Sequence, residues 1–139
     1  MPLQRRDATG DTMTDDYKAA AIRHYRDAEL LEDHKRVENA DHHFGLAAEC
    51  GLKEALTQMG GLRREHRKWH IDQLWHKIQA KQFSKSFPKL ASLVANRDCF
   101  ADWKISQRYG SDGEVPRANL ERHRKWTARL LGAARIFRG

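Results

Sequence analysis

Apolar positions along this chain recur at three- and four-residue steps and almost never alternate. After "TDD", residues Tyr17, Ala21, His24, Ala28 and Leu31 form one stripe, the pattern of a helix that buries a single face. Thr14 stands where it can cap that helix, and Asp15 and Asp16 suit its positive end. "EDHKR" then breaks the stripe and predicts a tight polar connection. Val37, Ala40, Phe44, Ala47, Gly51 and Ala55 make a second stripe, predicting a helix from about Val37 to Met59. Two helices joined by so short a link are antiparallel neighbours.

Farther along, the pattern shortens. "GGLRREHRK" (60–68) reads as a glycine-opened basic loop, and Ile71, Leu74, Trp75 and Ile78 predict a shorter third helix from Trp69. "SFPKLASLVAN" reads as a helix with Pro88 in its first turn, where a missing N–H costs little. "CFADWKISQRY" is expected to continue as helix to about Tyr109, followed by a turn at "GSDGEVP". Pro116 opens the last helix, with a stripe of Leu120, His123, Thr127, Leu130, Leu131, Ala134 and Phe137. No β-branched run alternates with polar residues, so strands are not expected. The predicted fold is all-α, with four main helices and one or two short ones. Residues 1–13 lack a period and read as a flexible N-terminal arm (Met13 is an alternative start), leaving 14–139 as a single helical domain.

Composition narrows the function classes. The chain has 139 residues, 40% hydrophobic and 32% charged, which suits one thin helical bundle with much of each helix in water. A formal net charge of +7 favours polyanionic partners such as nucleic acid. Cys50 and Cys99 stand far apart with no His/Cys cluster, which argues against a zinc site or disulfide framework and for a reducing cytoplasm. No apolar run reaches membrane-spanning length, so no membrane is expected.

The second helix carries unusual chemistry for a packing element. At 100° per residue, His42, Glu49 and Lys53 fall within about 40° of one another, with Gly45 on the same side. Asp41 points about 100° away from His42, so it cannot easily orient that imidazole. One reading is a solvated face supported by the Glu49–Lys53 pair at i,i+4. The sharper one is a polar cleft, within the bundle or completed by a second subunit, which Arg36, His42 and Glu49 face and in which His42 moves a proton near neutral pH. Elsewhere, Arg63, Arg64, Arg67, Lys68 and Trp69 combine guanidinium and ammonium groups with a ring that can stack on a base, a nucleic-acid-binding pattern.

"HYRDAELLEDHKRVENADHHFGLAAECGLKEAL" (24–56) resembles the HEPN domain, in which "DAELL", a tight link and "A…FGLAAECGLKEAL" form the recurring theme. "WHIDQLW" (69–75) and "DWKISQRYGSDG" (102–113) are similar to later stretches of that family. The resemblance implies a four- to five-helix up-and-down bundle that dimerises, often beside a nucleotidyltransferase-like antitoxin partner. Gly45 and Gly51, which permit close helix approach, suit such a homodimer. Catalytic family members are metal-independent, cofactor-free ribonucleases that use an arginine and a histidine separated by four to six intervening residues. An imidazole can move the proton of the 2′-hydroxyl or leaving group, and a guanidinium can hold the phosphate. In this chain Arg36 with His42 and Glu49 is the first candidate set, and Arg117 with His123 the alternative; Arg63 or Arg64 with His70 also fits the spacing. The two functions implied are an RNA-directed effector, either an endoribonuclease of a toxin–antitoxin or defence system or a degenerate RNA binder, and a non-catalytic module that binds a nucleotide or a nucleotidyltransferase-like protein partner.

Overall fold

The two long stripes of the N-terminal half become two long neighbouring helices of the computed structural model, which describes residues 15–137. α1 (Tyr17–Asp33) and α2 (Val37–Gln58) are followed by α3 (Arg64–Lys68), α4 (Ile71–Lys77), α5 (Pro88–Val94) and α6 (Arg117–Ala133). Single 3₁₀ turns span Ala80–Phe83 and Ile105–Tyr109. Among the described residues there is no strand, as the absence of alternation predicts. The arm at 1–13 and the proposed cap at Thr14 lie outside the described residues.

Asp16 caps α1, its carboxylate accepting the N–H of Ala19 at 3.0 Å. The chain reverses over three residues because Lys35 takes a left-handed conformation at φ 61°. α1 therefore folds back on α2, as the short link requires. α2 is the central element, contacting α1, α4, α6 and the 105–109 turn. Its alanines and glycines explain how one helix serves so many neighbours. Gly51 lies against Leu130 and Leu131 of α6, and Gly45 lies flat against the Trp103 ring. A methyl group at either position would overlap those side chains. The close approach inferred from these glycines is thus used within the chain.

Three elements differ from the sequence expectation. The 60–68 segment is not all loop, since residues 64–68 form α3. The stretch from Cys99 to Tyr109 is not one helix: turns carry Cys99, Phe100 and Trp103 inward, and Lys104 is extended before the 3₁₀ turn. Cys99, Phe100 and Trp103 are all buried in this irregular segment. α6 stops at Ala133, with Arg135 left-handed at φ 63°; Phe137 lies beyond the helix yet meets Tyr25 edge-on.

The main core joins α2, α4, α5, α6 and the 99–103 turns around Leu52, Leu74, Trp75, Leu90, Phe100 and Trp103. A smaller cluster of Ala28, Ala40, Phe44 and Leu120 sits where α1, α2 and α6 meet. No helix among the described residues is long and apolar enough to cross a membrane.

Candidate functional site

Asp41 and His123 come from opposite ends of the sequence and are both 1% exposed. A carboxylate so buried needs a positive or donating partner, and α6 provides one. His123 Nδ1 lies 2.6 Å from Asp41 Oδ1, and its Nε2 lies 2.7 Å from Asp102 Oδ1. Arg122 pairs with the other oxygen of Asp102. Gln107 Nε2 donates to Asp41 Oδ2 at 2.6 Å, and Trp103 Nε1 donates to the Asp41 carbonyl at 2.9 Å. Burial alone would lower the His123 pKa, but the hydrogen bonds and charges of Asp41 and Asp102 outweigh it and raise the pKa. Both ring nitrogens are engaged by carboxylates, an arrangement that favours the charged form of the histidine. Asp102 loses stability as an anion through burial, yet the Arg122 and His123 hydrogen bonds hold its pKa below the ordinary value.

This network anchors one wall of a cavity of about 640 Å³ at the start of α2. Lys35, Arg36, Arg108 and Arg117 line it, facing only two carboxylates, Glu38 and Asp112. Glu38 already accepts the backbone N–H groups of Gly113 and Val115 at 2.9 and 3.3 Å, which pins the 110–116 loop. Among the described residues, none of the four cations has a carboxylate within ion-pair distance. The first turns of α2 and α6 also open here without a side-chain cap, adding backbone donors and a partial positive charge. At the rim, Arg108 lies over the Tyr109 ring at 4.7 Å, and Tyr109 is 79% exposed. The chemistry suits a phosphate group with an aromatic base beside it.

The residues singled out in the sequence separate. Arg36 and Arg117 both line this cavity. His42 instead stacks on Trp103, with centroids 5.8 Å apart, and its buried Nδ1 has no hydrogen-bond partner. Burial, then the charges of His43 and Arg108, push its pKa down to about 4. Glu49 is a strut between elements: one oxygen binds Lys53 Nζ at 2.8 Å and the other His70 Nδ1 at 2.9 Å, while Lys53 also donates to the Arg67 carbonyl at 3.0 Å. The Glu49–Lys53 pair is accordingly buried, where the simpler reading had it in solvent. Arg36, His42 and Glu49 thus engage three different sets of neighbours. His123 joins Asp41 and Asp102, while its supposed partner Arg117 faces the cavity.

The basic segment keeps its character. Arg63, Arg64, Arg67 and Lys68 are exposed on and beside α3, Arg67 forming only a surface pair with Asp15 at 3.1 Å. Trp69 is half-buried, with Lys77 Nζ 5.4 Å above its ring. Asp102, Gln107, Arg108 and Lys35 were not singled out by sequence reasoning. One signal was present: Asp41 falls among the buried positions of α2, so it required a partner, and His123 interrupts the apolar stripe of α6. Both free cysteines are inert thiols in this setting, burial pushing Cys50 to about 12 and Cys99 to about 11. No group of three metal-ligating side chains occurs among the described residues. Comparison of the chain with family models, curated proteins and solved structures finds no match.

Proposed function

We propose that this protein is an HEPN-like helical module that binds RNA through the cavity at the α2 and α6 N-termini, without cleaving it. The observation that carries this reading is the convergence of Lys35, Arg36, Arg108 and Arg117 on one concave surface, with Glu38 already occupied by the loop. Phosphodiesters satisfy such a surface, and Tyr109 offers an exposed ring to a neighbouring base. Of the two functions implied by the HEPN resemblance, binding is favoured over hydrolysis by the state of the histidines. A general acid or base needs a ring nitrogen open to substrate and a pKa near the working pH. His123 has both nitrogens engaged, and His42 is held far below neutrality.

The test is fluorescence anisotropy of a labelled single-stranded RNA against salt concentration. Replacing Arg36, Arg108 and Arg117 with glutamine should weaken binding and flatten the log–log salt slope by about 2, at roughly 0.7 for each phosphate no longer neutralised. Unchanged affinity and slope would remove the cavity from the interface. Total RNA incubated with the protein in EDTA should remain intact. Cleavage by the parent, abolished in a folded His123→Ala variant, would overturn the non-catalytic reading.

A further inference from the structure

The cavity and the basic α3 segment lie toward opposite ends of α2, and one stripe of that helix reaches both. His42, Leu46, Glu49 and Lys53 fall within about 60° of arc. At one end the charge of Arg108, a cavity residue, acts on His42. At the other, Lys53 and Glu49 hold Arg67 and His70 in place. Between the ends, His42, His43, Leu46 and Cys50 of α2 and His24 of α1 are half-buried. His43 and His24 share a hydrogen bond between Nδ1 atoms at 3.0 Å, which requires one ring to accept and therefore to be neutral. Burial lowers the pKa of both, and the charged groups flanking them are Arg23, Asp27 and the already paired Glu49. His42 on this stripe, with His43 and His24 beside it, therefore presents uncharged rings between two cationic ends.

We propose that a single RNA strand runs along this stripe, its phosphates held by the cavity and by Arg64, Arg67 and Lys68, with bases meeting the imidazoles of His42 and His43 between. The proposal rests on the RNA reading above and extends it to strandedness and length. Flat uncharged rings recognise bases only when the faces are unpaired, which excludes a regular duplex. The sixteen rises from Val37 to Lys53 measure about 24 Å at 1.5 Å each, or about seven stacked nucleotides at 3.4 Å each. Shorter strands reach one end only. For ends that each bind at about 10⁻⁴ M, a tether giving an effective concentration near 1 mM adds about tenfold in affinity. Arg67 leaves only an exposed ion pair with Asp15 to join a phosphate, a weak competitor.

Anisotropy with single strands of about four and about twelve nucleotides tests this directly. The longer strand should bind about tenfold more tightly. That ratio should fall toward one in Arg67→Gln/Lys68→Gln and, separately, in Arg36→Gln/Arg108→Gln. An abasic strand and a duplex of the longer length should each bind several-fold more weakly than the strand. Persistence of the ratio in either variant, or equal binding of the abasic strand or duplex, would overturn the track while leaving RNA binding standing. If the parent binds neither strand, the RNA reading fails and the track with it.

Discussion

Asp41 and His42 are successive residues of α2, yet they lead into opposite electrostatic surroundings. On the Asp41 side, His123 is almost wholly buried and nonetheless favours its charged form, because two carboxylates meet its two N–H groups at 2.6 and 2.7 Å. On the other side, half-buried His42 falls to about 4, burial being reinforced by His43, Arg108 and His24 while one nitrogen has no partner. Burial alone would lower both. The neighbours decide the sign, and Trp103 holds the two regions together by donating to the Asp41 carbonyl and stacking under His42.

The strongest way to break this contrast is Asp41→Ala. Removing one partner strands the buried imidazole and orphans Gln107, and should lower stability by about 3–5 kcal/mol, read by urea denaturation. A loss below about 1 kcal/mol would mean that solvent reaches His123. Gly45→Ala attacks the shared element instead. Its new methyl group meets the Trp103 indole, and overpacking of this kind should destabilise by about 2–3 kcal/mol while shifting the environments of both histidines together. If NMR shows only one histidine resonance moving, Trp103 does not couple the regions.

Acid sharpens the comparison at smaller cost. Between about pH 6.5 and 4 the unfolded chain binds more protons than the native one at His42, so native stability rises with pH in that window. Taking the protein from pH 7 to 5 should remove about 1 kcal/mol through His42, discounted for a half-exposed ring. His123 has the opposite sign: its raised pKa contributes stability fully below the unfolded value of about 6.5, lost as pH rises through the folded value. Two-dimensional NMR titration should show His123 protonated where His42 is already neutral. The smallest effect is expected for His42→Leu, which keeps an apolar contact with Trp103 and deletes the unsatisfied nitrogen. Stability at neutral pH should change by no more than about 0.5 kcal/mol, while the acid sensitivity shrinks. Full acid sensitivity in that variant would assign it to His24 and His43.

Local periodicity was enough to read α1, α2, their antiparallel pairing, Pro88 at a helix start and the onset of α6, because each depends on spacing within one segment and on a short link. It failed at 99–109, where turns replace the expected helix and Cys99, Phe100 and Trp103 pack into a core supplied by distant helices. The exposed cations at Arg63, Arg64, Arg67 and Lys68 were legible for the same local reason: none is drawn into the core, and Asp15, the partner of Arg67, is itself exposed. Arg36 and Arg117 could be named from the sequence, but not the surface they share, since α2 and α6 meet through packing between residues some eighty positions apart. The roles of the polar groups on α2 were likewise decided only in three dimensions. Which of Asp41, His42 and Glu49 is paired, neutral or a strut depends on Asp102, Gln107, His123 and His70, all brought in by other elements. The sequence by itself determined an all-helical basic chain with a polar second helix; tertiary packing alone determined which of its charges remain free to meet a ligand.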